Sequence, residues 1–225
     1  MRRLLPRRLA PRIGVGEFVD WASVEPFVGH VPSVRLRPDV EVAQILARMA
    51  PDDAADLVAE LDEPRRAAVL ALLPATRRTK VRALLGYDPA QAGGLMSTEF
   101  ICLYRHATAQ EAWDRVRSSL VPEDLLTAVF VMDTRRRLEG SVPLGALLRA
   151  EGEWPLTRLV KHETPRLAPE ADLEEIARVM ANYNLTSAPV VDEQNQMIGV
   201  ITVDDVLEAM LPRGWRRRFG LLGDN

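Results

Sequence analysis

Residues 187–210, SAPVVDEQNQMIGVITVDDVLEAM, read as two short apolar strands around a polar turn, followed by a helix. Val190 and Val191 close the first strand, and Asp192 to Gln196 carry the turn-forming polar residues. Gly199 interrupts the second strand. Thr202 ends that strand, and Asp204 and Asp205 place negative charge at the positive end of the helix that follows.

The stretch 127–148, TAVFVMDTRRRLEGSVPLGALL, runs through the same order. Asp133 and Gly140 recur as Asp192 and Gly199, 59 residues on. Upstream of each strand pair stands a helix-start pattern, Thr108 with Glu111 and Asp172 with Glu175, offset by 64 residues. A cap oxygen and a carboxylate three residues later satisfy each other's free amides. The first copy is therefore five residues longer than the second between helix and strand, near LVPEDLL. The helices that follow these caps are amphipathic, with Ala109, Ala112, Trp113, Val116 and Leu120 in the first and Leu173, Ile176, Ala177 and Met180 in the second. The repeating unit is β-α-β-β-α.

The first half has a different texture. Between about 40 and 92 the chain reads as short helices punctuated by proline: VEVAQILARMA, PDDAADLVAELD, EPRRAAVLALL and PATRRTKVRALLG. Pro51, Pro64 and Pro74 sit at helix starts, where the missing amide would be unpaired anyway. Ala55, Leu57, Val58 and Leu61 line one side of the second helix. Helices this short do not hold themselves and must stack, so a small right-angled or superhelical domain is expected. The fold class is thus α+β. Residues 1–40 read as a linker or N-terminal extension, 41–92 as the helical domain, 93–158 and 159–212 as the two repeats, and 213–225 as a basic tail.

Composition narrows the function classes. The chain of 225 residues is 27% charged and 47% hydrophobic with net charge -3, which gives no global reason to expect nucleic acid. Cys102 is the only cysteine, so an intrachain disulfide and a Cys-based zinc site within one chain are excluded. A cytoplasmic setting is expected. The longest apolar runs fall well short of the roughly 18–20 residues that cross a bilayer. No nucleophile elbow or GxxxxGK loop is present, and His30, His106 and His162 lack metal-ligand spacing, so an enzyme is not expected.

The second repeat, with DLEEIARVMANYNLT ahead of it, resembles a CBS domain, and residues 96–211 resemble a tandem CBS pair. The stretch 84–100, LLGYDPAQAGGLMSTEF, is similar to the join between the helical N domain and the CBS pair of MgtE-type magnesium transporters. Tyr87, Ala92, Gly93, Leu95, Met96 and Glu99 keep that pattern. The resemblance covers about residues 41–212. It departs in three places: the helical domain is shorter than the family's, the membrane domain after the CBS pair is missing, and the family's carboxylate at the join falls on Ala90.

The resemblance implies a regulatory module that senses Mg2+ or an adenine nucleotide (ATP, ADP or AMP) and conveys its state through domain packing. It implies a homodimer formed through the CBS domains and a separately encoded membrane or regulatory partner. The nucleotide candidates are Thr202 and Asp205, whose oxygens would hold ribose and phosphate beside a helix N-terminus, against the plainer reading that they cap that helix. The first repeat has Pro143 and Ala146 at these places. The metal candidates are Asp88, Glu99, Asp192, Asp204 and Glu208, with Asp52, Asp53 and Asp56 on the helical domain, against the reading that they are solvated faces and caps. The tail RGWRRRFG would lie on an anionic surface or simply end a charged helix. The alternative from another class is a ligand-independent interaction scaffold.

Overall fold

Helix starts fall every twelve residues in the first part of the chain: Asp39, Pro51, Glu63 and Ala75. The computed structural model describes residues 37–211, and these divide between two compact units. One holds the chain up to Asp88 together with residues from Leu207 onward, and the other runs from Pro89 to Val206. The N-terminal extension before residue 37, with His30, and the basic tail lie outside the described residues. Among the described residues, no helix is long and apolar enough to cross a membrane.

In the first unit, α1 (Asp39–Leu46) packs on α3 (Glu63–Leu72), and α2 (Pro51–Ala59) packs on α4 (Ala75–Leu84). The packing skips one helix each time, which is the superhelical stacking that such short helices require. Leu46, Val58 and Leu70 recur at the twelve-residue period and are all buried. Arginines repeat with the same period and satisfy backbone carbonyls, the first pair ahead of α1 and α2 and the second pair at the ends of α2 and α3. Arg65 Nη2 donates to the Arg37 carbonyl and Arg77 Nη2 to the Met49 carbonyl. Arg66 donates to the carbonyls of Val58, Ala59 and Leu61 at the end of α2, and Arg78 to that of Ala71 near the end of α3. The last carbonyls of a helix have no intrahelical donor, and a cation there also suits the helix dipole. Pro51 is the first residue of α2 and Pro64 lies in the first turn of α3, whereas Pro74 precedes α4 as its cap.

The second unit contains the repeat. After the short α5 (Ala92–Leu95) come β1 (Cys102–Tyr104), α6 (Ala109–Ser118), β2 (Ala128–Met132), β3 (Leu138–Pro143) and α7 (Leu144–Leu147). A 3-10 turn at Leu156–Arg158 leads to α8 (Leu173–Asn182), β4 (Ser187–Val191), β5 (Met197–Thr202) and the start of α9 (Val203–Met210), whose residues from Leu207 count with the first unit. The 59-residue offset holds pair by pair: Ala128 faces Pro143 as Ser187 faces Thr202, and Val131 faces Gly140 as Val190 faces Gly199. Both hairpins carry an irregularity at the equivalent step, Val131/Met132 and Val190/Val191. The first strand of the unit is complete only in copy one. Leu103 pairs in parallel with Val131, while its equivalent Leu167 makes a single parallel bridge to Val190.

The polar turns are built alike. Asp133 Oδ1 accepts the amides of Arg135 and Arg137, and Asp192 Oδ1 those of Gln194 and Gln196. Each turn puts one residue in the left-handed region, Arg136 at φ 65° and Asn195 at φ 62°. Asn adopts that conformation at little cost, whereas Arg does not. The helix caps also follow the sequence: Thr108 and Glu111 form both halves of a capping box, and Asp172 Oδ1 accepts the Glu175 amide at 2.8 Å. Leu120 departs from the amphipathic reading. The helix ends at Ser118, and Leu120 is 82% exposed.

The two modules close on each other. Leu125, Phe130 and Leu138 of the first share a buried cluster with Val200 of the second. The hairpin tips meet at a bridge between Arg137 and Gln196, and the Leu138 amide donates to the Asn195 carbonyl.

The most consequential pairing is an exchange of leading segments. Ser97, ahead of the first module, pairs with Val200 of β5 through two hydrogen bonds of 2.8 and 2.9 Å. Lys161, ahead of the second, pairs with Ser141 of β3 in the same way. Gln91 likewise bridges Asp172, as Pro155 bridges Thr108. Each module's sheet edge is therefore covered by the other module's leader, which removes an open edge.

The glycines at the 59-residue offset are the sites of that crossing. A Cβ on Gly140 would lie 2.9 Å from the Lys161 carbonyl carbon and from Val160 Cγ2. One on Gly199 would lie 2.9 Å from Met96 Cβ and closer still to its Cγ and Sδ. Gly140→Ala is expected to cost about 1–3 kcal/mol by urea denaturation, because backbone must move. Gly199→Ala should cost less, since it meets a side chain; the reverse order would contradict the crossing geometry. Arg136→Asn is expected to stabilise the fold by about 0.5–1 kcal/mol in the same measurement, by relieving the left-handed residue.

Candidate functional site

The junction of β5 and α9 carries the chemistry that the sequence singles out. Thr202 is the last residue of the strand, and Asp205 lies in the first turn of the helix. Both are buried, at 5% and 2% exposure. Asp205 Oδ2 accepts the Thr202 hydroxyl at 2.8 Å and the Thr202 amide at 3.1 Å, while Thr202 Oγ1 accepts the Asp205 amide at 3.3 Å. This is a reciprocal cap made with an aspartate. It fixes the carboxylate's direction, beside a helix N-terminus that favours anions.

The equivalent junction in the first module lacks all of this. Pro143 and Ala146 stand where Thr202 and Asp205 stand, and α7 has four residues against eight in α9. Pro143 makes no side-chain cap. The two hairpins are thus alike in register and unlike in the polar chemistry at their ends.

Each metal candidate has its own setting. Asp88 is exposed beyond the end of α4, and Glu99 is half-buried, its amide donating to Ser97 Oγ. Asp192 opens the β4–β5 turn, with one carboxylate oxygen taken by two backbone amides. Asp204 is exposed and Glu208 half-buried, one helical turn apart on α9. On the helical unit, Asp56 is exposed, but Asp52 and Asp53 are buried at the start of α2 rather than on a solvated face. Among the described residues, no group of three or more His, Cys, Asp or Glu converges to hold a metal ion. His106 and His162 are exposed.

Cys102 offers no nucleophile. Burial among the shared apolar residues pushes its thiol up to about 11, against a smaller opposing pull from the Arg136 charge. The reactive thiolate is therefore scarce at neutral pH.

Sequence reading missed the residues that tie this junction to the rest of the unit. Ser97 binds β5 two residues before Thr202, and the Ala92 and Gly93 amides donate to the carbonyls of Ala171 and Pro169. The available signal was the repeated glycine, because a strand glycine implies a close neighbour without saying which one.

Residues 35–90 match the model of the MgtE intracellular N domain, and residues 158–212 match that of the CBS domain. The chain is 34% identical over 142 residues to the magnesium transporter MgtE of Thermus thermophilus, a match covering 62% of this chain and 31% of the transporter. A crystal structure of the cytosolic domain of the Mg2+ channel MgtE in complex with ATP is 29% identical, with a TM-score of 0.75 over 80% of this chain and 74% of that one. The soluble part of a magnesium transporter shares the fold at 24% identity and a TM-score of 0.72, over 80% of this chain and 70% of that one. The chain spans about a third of the length of the curated relatives it matches.

The Thr202–Asp205 box has a structural worth of its own. Thr202→Val keeps the shape and removes the hydroxyl, leaving the buried carboxylate one donor short and the Asp205 amide without its acceptor. The expected loss is about 1–3 kcal/mol by urea denaturation. No loss would mean that the box does not form.

Proposed function

We propose, from the premise that residues 35–90 match an MgtE intracellular N domain and residues 158–212, the second of two repeats, match a CBS domain, that the chain regulates magnesium transport by binding an adenine nucleotide in the second module. The observation that carries this reading is the buried carboxylate of Asp205, oriented by Thr202 at a helix start. Such a carboxylate accepts hydrogen bonds from both ribose hydroxyls, and the adjoining helix amides suit phosphate. A relative of this fold crystallised with ATP supports the choice of ligand class. Pro143 and Ala146 in the first module supply neither hydroxyl nor carboxylate, which points to one nucleotide per chain.

Mg2+ sensing belongs to the same proposal. Mg2+ binds through one or two carboxylates and keeps several waters, so the Asp204–Glu208 pair on α9 is a sufficient protein contribution. Asp88, Glu99 and Asp192 are the remaining acids of the proposed metal response. The boundaries 41–92, 93–158 and 159–212 delimit the working domains, with a homodimer through the CBS domains as the proposed assembly. The competing reading is a scaffold that binds no ligand.

Thermal melts separate the two. A ligand of the native state at about 100 times its Kd adds about 2.7 kcal/mol, which raises the midpoint by several degrees. ATP, ADP or AMP is expected to produce such a rise in the metal-free protein, and millimolar Mg2+ alone a separate one. Asp205→Ala should abolish the nucleotide shift, with Asp205→Asn as the variant that keeps the shape. A wild-type midpoint unmoved by any of these ligands leaves the scaffold standing. A shift that survives both substitutions moves the nucleotide elsewhere.

A further inference from the structure

The leader 91–97 is more than a connection. It enters the second module at two places: the start of α8, through Gln91, Ala92 and Gly93, and the edge of β5, through Ser97. Between these anchors Met96, 2% exposed, lies directly over Gly199. Val200, which holds Ser97 by two hydrogen bonds, is two residues from Thr202 on the same strand. Upstream, the same segment is joined to α4 by only the six residues 85–90.

We infer that residues 91–97 form a strap whose grip on β5 is coupled to occupancy of the Thr202–Asp205 junction, so that the nucleotide is reported to the chain leading into α4. This rests on the nucleotide reading above and adds the element that carries its effect. A ligand that engages Thr202 and Asp205 fixes the end of β5, and a fixed strand end holds the adjacent Ser97–Val200 pairing more firmly. Because such coupling is reciprocal, loosening the strap weakens the ligand by the same factor. The first module provides an internal comparison. Its own strap, 155–161, lies on β3 with Val160 over Gly140, next to a junction that lacks the hydroxyl and the carboxylate.

The test uses the full chain with ATP as the probe. Met96→Ala removes the side chain over Gly199 without touching Thr202 or Asp205, and Val160→Ala is its counterpart on the other strap. Isothermal titration is expected to show ATP binding at least about fivefold weaker in Met96→Ala and unchanged in Val160→Ala. In the wild type, ATP is expected to slow amide exchange at Ser97 and Val200, a measurement that still decides the matter if Met96→Ala fails to fold. Equal ATP affinity in wild type and Met96→Ala, or exchange at Ser97 and Val200 indifferent to ATP, overturns the strap and leaves the nucleotide site in place. A wild type that binds no ATP overturns both.

Discussion

Two backbone crossings, Ser97 on Val200 and Lys161 on Ser141, determine much else in the second unit. They require glycine at 140 and 199, since a side chain there would occupy the space of the crossing segment. They also make the modules interdependent, because each supplies the strand edge that the other lacks. The shared apolar cluster around Phe130, Leu138 and Val200 then forms from both halves at once. A single module cut out of this pair would expose an unpaired edge and half of that cluster.

The helical unit solves a different problem with a comparable economy. Helices of eight to ten residues have too few internal hydrogen bonds to persist alone. Stacking every second helix buries Leu46, Val58 and Leu70 in succession, and arginines such as Arg66 satisfy the carbonyls that short helices leave open. The twelve-residue period unites proline or acid at helix starts, leucine or valine inside and arginine at the ends.

Much of the second unit was legible from residue offsets. The 64- and 59-residue spacings of Thr108, Asp172, Asp133 and Asp192 correspond to equivalent caps and turns. Helix ends were less legible, as Leu120 shows: it continues the apolar period yet falls beyond the last turn. The exchange of leaders was not readable: Ser97 and Val200 stand far apart in the chain, and although Lys161 follows Ser141 by only twenty residues, nothing in either stretch names its partner. The twelve-residue period was hidden for another reason: the proline that marks α2 and α3 is displaced by one residue between them and becomes a cap before α4. At the candidate site, sequence identified Thr202 and Asp205 but left cap and ligand group as alternatives. The geometry shows that the cap exists, so the plainer of the two roles is built into the fold.

The exchange also orders events during synthesis. The first module's edge is closed by Lys161, twenty residues after Ser141, soon after the strand that needs it has been made. The second module's edge is closed by Ser97, which leaves the ribosome long before Val200 exists. At ordinary elongation rates that interval is on the order of ten seconds. For that time the segment Ala92–Ser97, with Ala92, Leu95 and Met96 destined for burial, must wait without its partner, which makes it the part of the unit most exposed to capture by chaperones or by a neighbouring nascent chain.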